Sequence, residues 1–129
     1  MNKNQKKKIL VVEDDGLFLW SLDHFLKKEG YEVCPVASSE LAFDMAQNQS
    51  FDIVISDFHL PGFNGRELIK KVKALQPEAK TILMSAYQRD ETGKDEETLL
   101  DAYLDKPVEL GMLKKLLQDL TYTVDGVKS

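Results

Sequence analysis

Apolar positions change period along this chain in a regular way. Ile9-Leu10-Val11-Val12 is an unbroken aliphatic run that stops at Glu13-Asp14-Asp15, the pattern of a strand buried on both faces. Through residues 16–29 the spacing becomes helical, with Phe18, Leu22, Phe25 and Leu26 on one face and Gly30 as the stop. Residues 31–37 read as a second strand, and Ser38-Ser39-Glu40 as a helix entry. Residues 41–47 follow as a short helix with Leu41, Ala42, Met45 and Ala46 turned inward.

The third strand, Ile53-Val54-Ile55-Ser56-Asp57, runs into the turn residues Pro61-Gly62 and Asn64-Gly65. Residues 65–75 carry Leu68, Ile69 and Val72 at helical spacing until Gln76-Pro77 ends the run. Lys80-Thr81-Ile82-Leu83-Met84-Ser85 is a fourth strand and Ala102-Tyr103-Leu104 a short fifth. The last helix carries Leu110, Leu113, Leu116, Leu117 and Leu120, and no pattern continues past Thr123. Residues 88–98 are highly charged, contain Gly93 and lack an apolar stripe, so any helix there is expected to be late, short or mobile.

Strands alternating with helices imply right-handed crossovers and an α/β fold. The expectation is a flavodoxin-like, doubly wound domain: a five-stranded parallel sheet of order 2-1-3-4-5 with helices on both faces. It is expected to span residues 8–121, between a basic tail at 1–7 and a second tail at 122–129. At 129 residues there is room for one such domain and no more.

Charge narrows the classes of partner. The net charge is −5, of which Lys3, Lys6, Lys7 and Lys8 contribute +4, so the remainder carries −9. Nucleic-acid binding by so acidic a body is disfavoured. No apolar run approaches the roughly 20 residues that cross a bilayer, and no apolar signal region follows the first lysines; a cytoplasmic location is the expectation. Cys34 stands alone, which excludes an internal disulfide and suggests a buried reduced thiol.

The chemistry gathers at strand ends. In open α/β sheets, ligands bind beyond the carboxyl ends of the strands where strand order reverses. With the first and third strands adjacent, Glu13 and Asp14 face Asp57 across that crevice. A lone Asp after a strand is ordinarily a turn former or a helix cap. Ser85 and Lys106, however, close the same rim from the fourth and fifth strands. Three carboxylates without His or Cys ligands select a hard cation such as Mg²⁺, which keeps waters and pairs with phosphate. A hydroxyl and an ammonium beside them suit the equatorial oxygens in phosphoryl transfer, with a carboxylate nucleophile forming an acyl phosphate.

The segments Val11-Val12-Glu13-Asp14-Asp15, Asp57-Phe58-His59-Leu60-Pro61-Gly62-Phe63-Asn64-Gly65, Ser85-Ala86 and Tyr103-Leu104-Asp105-Lys106-Pro107 resemble the response-regulator receiver domain of two-component signalling, the chemotaxis-regulator-like fold. The resemblance covers residues 8 to 121. It implies a signalling domain rather than an enzyme. Asp57 would accept a phosphoryl group from a phosphohistidine on a sensor histidine kinase or histidine phosphotransfer protein, and Mg²⁺ would be required. It further implies that Asp14 binds the metal directly, Glu13 through water, and His59 through its backbone carbonyl, with the His59 ring facing solvent and Asp15 dispensable. Ser85 and Lys106 would contact phosphoryl oxygens, Ser85 and Tyr103 would form the switch, and Lys106-Pro107 would be a cis peptide. Bulky His59 and Tyr87 at the flanking positions suggest slow hydrolysis of the acyl phosphate.

Two departures concern partners. Many receivers carry Gly-Ala before the fifth strand and an alanine-rich helix before that; here stand Leu99-Leu100 and the charged segment, which phosphorylation could order. Leu17 and Trp20 fall off the inward face of the first helix, either as a kinase-docking patch or as cover for a neighbouring loop. A free-standing receiver is the expectation, with no DNA binding and no membrane association by this domain and an unknown downstream target. Two rivals are a phosphate-independent binding module on the same fold and an aspartate-nucleophile phosphohydrolase. The hydrolase would want an acid where His59 stands and a substrate-covering insertion.

Overall fold

The computed structural model describes residues 6–86 and 100–126. Residue 87 and the segment 88–99 lie outside them, as do the expectations placed there. The order of elements is β1 (Lys8–Val12), α1 (Gly16–Lys28), β2 (Glu32–Val36), α2 (Ser39–Asn48), β3 (Ile53–Asp57), α3 (Gly65–Leu75), β4 (Lys80–Ser85), β5 (Ala102–Asp105) and α4 (Leu110–Gly126). All pairings are parallel, as the alternation of periods predicts, and the strand order is β2-β1-β3-β4-β5, the order expected of a flavodoxin-like sheet. Among the described residues, no helix is long and apolar enough to cross a membrane.

Each central strand divides its side chains between two cores. Ile9, Val11, Ile53, Ile55, Ile82 and Met84 pack against Leu22 and Leu26 of α1 and Leu113 and Leu117 of α4. On the other face, Leu10, Val12 and Val54 meet Ala42 and Ala46 of α2 and Leu68 and Val72 of α3. Every residue of β3 is buried, whereas edge strand β2 is only partly covered. That edge accommodates Pro35, opposite Val11, because no further strand needs its missing N–H. Cys34 is likewise half-buried rather than sealed in the core, since its strand has a neighbour on one side only.

Two local expectations are corrected. Ser38 caps α2 by accepting from the Leu41 amide, so the helix starts at Ser39 and turns Ser39, Ala42 and Ala46 inward. That phase puts Leu41 on the opposite side, 56% exposed. The last helix also outruns its apolar stripe, reaching Gly126, because helix propagation needs only the next backbone hydrogen bond and no breaker occurs before that glycine.

The end of the sheet away from the acids is pinned by polar side chains. Gln76, just past α3, accepts from the Phe51 amide at 2.8 Å and donates to the carbonyls of Ala46 at 2.8 Å and Gln49 at 2.9 Å. Lys73 donates to the Ala79 carbonyl at 2.7 Å and pairs with Asp101 at 3.5 Å, while Asp101 accepts from the Thr81 amide at 2.8 Å.

At the other end, close approach depends on Gly65. A Cβ there would lie 2.1 Å from the Asp57 carbonyl oxygen and 2.9 Å from Ser56 Oγ, whereas at Gly16 it would meet nothing within 4 Å. Gly65→Ala is therefore expected to cost about 1–3 kcal/mol through overpacking. Gly16→Ala, at the start of α1, is expected to gain about 0.4–1 kcal/mol. Urea denaturation of the two variants checks the contrast, and equal stabilities would contradict the close approach.

Candidate functional site

The acids stand where β1 and β3 end side by side. Val12 is in register with Ser56, so the next residues, Glu13 and Asp57, emerge together at the switch point of the sheet. Glu13 is 1% exposed and Asp57 6%, while Asp14 is exposed. One carboxylate oxygen from each of the three lies within 4.8 Å of the others. Asp15 leaves the cluster to cap α1, accepting from the amides of Leu17 at 3.1 Å and Phe18 at 3.2 Å.

Lys106 supplies the opposite charge. Its Nζ lies 3.0 Å from Asp57 Oδ1 and 3.1 Å from Glu13 Oε1, and 5.2 Å from the centre of the Phe18 ring. The lysine arrives there because its amide donates to the Ser85 carbonyl at 2.9 Å, continuing the β4–β5 ladder by one residue, and the Lys106–Pro107 bond is cis. Burial raises the Glu13 carboxyl above its ordinary pKa, and the charge of Asp57 adds to the rise. The Asp15 amide, 3.0 Å from Oε2, and Lys106 oppose it without cancelling it. Burial alone would lower Lys106, but its hydrogen bonds to Asp57 and Glu13 outweigh that and hold the ammonium above its ordinary range.

The loop after Asp57 is fastened on both sides. Phe58 donates to the Met84 carbonyl at 2.9 Å, and Gly65 returns a bond to the Phe58 carbonyl at 2.8 Å. Ser39, fully buried at the start of α2, donates from Oγ to the Pro61 carbonyl at 2.9 Å. Gly62, at φ +93°, passes so close that a Cβ would sit 2.6 Å from Ser39 Oγ. The exposed His59 ring packs edge-on against Phe58.

Ser85 closes β4 on the face that also carries Tyr103, because Ser85 is in register with Asp105 and Leu83 with Tyr103. Thus Asp57, Glu13, Asp14, Ser85 and Lys106 share one end of the sheet, with Tyr103 on the neighbouring strand and on the same face as Ser85. Leu17 is 76% exposed and Trp20 60%, and the indole stacks on His24 of its own helix, centroids 5.0 Å apart.

Three contributors escape the sequence reading. Phe18 reads as a core position on helical spacing, and Ser39 as part of a helix entry. Arg66, whose guanidinium donates to the Tyr103 hydroxyl, has no place in the sequence reading. Its one available signal was its place directly after Asn64-Gly65.

The acids and lysine that meet at the sheet's switch point form a donor set suited to a hard cation and a phosphoryl group. The family model of the response regulator receiver domain matches residues 9–118, and the chain belongs to that family, a signalling domain of two-component systems. Among curated relatives, a cyclic di-GMP phosphodiesterase of Thermotoga maritima is 32% identical over 107 residues, 82% of this chain and 28% of that protein. Sporulation initiation phosphotransferase F of Bacillus subtilis is 32% identical over 81 residues, 63% of this chain and 65% of that one. The chain thus spans less than two thirds of the length of these relatives. Among solved structures, a CheY-like receiver domain protein of Methanospirillum hungatei superposes with a TM-score of 0.84 at 30% identity, covering 95% of this chain and 99% of that one. The response regulator TrrA of Thermotoga maritima, in complex with Mg²⁺-BeF, gives 0.78 at 29% identity, covering 88% and 98%.

Removing Lys106 leaves two buried carboxylates facing each other without their cation. Lys106→Met is expected to lower metal-free stability by about 1–3 kcal/mol, less than a fully buried pair because the ammonium is partly solvated. The raised lysine pKa sets the sign of the pH dependence: its contribution is complete below the unfolded value and is lost as pH rises through the folded one. The native-to-variant gap in thermal unfolding should therefore close on the alkaline side of 10.5, and it should narrow at neutral pH as Mg²⁺ is added. A gap indifferent to both would contradict the charge balance.

Proposed function

We propose that Asp57 is the phosphoacceptor of this receiver, taking a phosphoryl group from the phosphohistidine of a sensor histidine kinase or a histidine phosphotransfer protein. The observation that carries this is the buried Asp57 carboxylate at the end of the central strand, with Lys106 Nζ at 3.0 Å and two further acids beside it. As an Asp57 oxygen forms the new P–O bond, the P–N bond to the donor imidazole breaks.

Glu13, Asp14, Asp57 and the backbone carbonyl of His59 are the groups that would hold Mg²⁺, and an all-oxygen donor set of this charge fits that ion. When bound, the ion supplies positive charge to the phosphoryl oxygens. Lys106, 3.0 Å from Asp57 Oδ1, orients that carboxylate before transfer and neutralises phosphoryl charge afterwards. Ser85 donates its hydroxyl to a phosphoryl oxygen, and its shift is read by Tyr103 on the same sheet face, altering partner binding. The donor docks on the first turn of α1, where exposed Leu17 and Trp20 flank Phe18 at the rim of the pocket.

Intact mass after incubation with acetyl phosphate tests the assignment. One Mg²⁺-dependent phosphoryl adduct, labile to hydroxylamine and absent from Asp57→Asn, is the expected result. No adduct under any condition would favour a phosphate-independent binding module, and turnover of small phosphomonoesters an aspartate-nucleophile hydrolase.

A further inference from the structure

The first turn of α2 carries a hydroxyl that the helix itself does not use. Ser38 is the cap, accepting from the Leu41 amide at 3.2 Å, whereas Ser39 is fully buried on the face that α2 turns inward. Alanine forms helix better and takes no polar atom into such a place, so packing alone gives no reason for a hydroxyl there. Its bond lies outside the helix. Ser39 Oγ donates to the Pro61 carbonyl at 2.9 Å, and the Ser39 amide, one of the first donors that a helix leaves unpaired, meets the same oxygen at 3.4 Å.

Pro61 belongs to the loop that leaves Asp57, and that loop has a second fastening. Phe58 is tied to β4 through the Met84 carbonyl at 2.9 Å and to Gly65 at 2.8 Å. His59 therefore stands between two held residues, Phe58 and Pro61. Gly62 continues the grip, since its backbone at φ +93° lies so near α2 that a Cβ would sit 2.6 Å from Ser39 Oγ. We infer that Ser39 is a positioning residue for Mg²⁺: by clamping the Pro61 carbonyl, it fixes the backbone that carries the His59 carbonyl before the ion arrives. The inference rests on the receiver reading above, in which that carbonyl joins Glu13, Asp14 and Asp57 in holding the ion.

A backbone already held loses little further freedom when it becomes a ligand, so loosening it weakens the ion without touching a carboxylate. Mg²⁺ titrated into the isotope-labelled full chain, followed by backbone amide and carbonyl shifts, is the test. Ser39→Ala should raise the Mg²⁺ Kd about threefold to tenfold, the range expected from losing one hydrogen bond. Ser38→Ala supplies the contrast. It removes the cap of α2 and leaves the loop bond intact, so it should lower the melting temperature without changing the Kd.

The loss should also be confined to ion binding. Adduct formation from acetyl phosphate in Ser39→Ala should be slow at limiting Mg²⁺ and return to the native rate once Mg²⁺ saturates. A merely structural role would lower the melting temperature and leave the Kd unchanged. An unchanged Kd in Ser39→Ala, or an equal rise in Ser38→Ala, would overturn the clamp while leaving the receiver reading intact. A rate that stays low at saturating Mg²⁺ would do the same, placing the defect in the transfer step. Failure of the native chain itself to bind Mg²⁺ would overturn the receiver reading, and the clamp with it.

Discussion

Two buried carboxylates, Glu13 and Asp57, are held at adjacent strand ends by one ammonium. Charges of like sign in so dry a place are costly unless a cation sits among them. The cation comes from Lys106, 93 residues from Glu13 in sequence, so the pocket exists only when β5 has docked on β4. That dependence links the chemistry to the complete sheet. Burial holds the Glu13 carboxyl above its ordinary pKa even with the lysine beside it.

Much of this arrangement was legible in the sequence because it depends on periodicity and chain order. The aliphatic run of β1 reads as a strand buried on both faces, and Glu13, Asp57 and Ser85 were placed by standing at or just past the ends of β1, β3 and β4. Local phase was less legible. Leu41 is apolar at a plausible helical spacing, yet the Ser38 cap sets a rotation that exposes it. Cys34 shows the same limit: an apolar neighbourhood in sequence does not reveal that its strand lies at the edge of the sheet.

Contacts made across elements were not legible at all. The seat of Phe18 beside Lys106, the bond from Ser39 to Pro61 and the reach of Arg66 to Tyr103 depend on how two elements lie together. None is encoded by spacing within one segment. All three gather around the loop and strand ends that carry the acids, so the pocket is held by residues whose own segments look ordinary.

The clamp made by Gln76 has a mechanical meaning. By joining the end of α2, the start of β3 and its own helix terminus, while Lys73 and Asp101 tie α3 to β4 and β5 nearby, it fastens one pole of the domain with direct polar links. The opposite pole combines the charges around Lys106 with the backbone and Ser39 bonds that fasten the loop after Asp57. The Gln76 pole is thus a fixed hub of three elements, leaving the other end of the same strands to carry the chemistry.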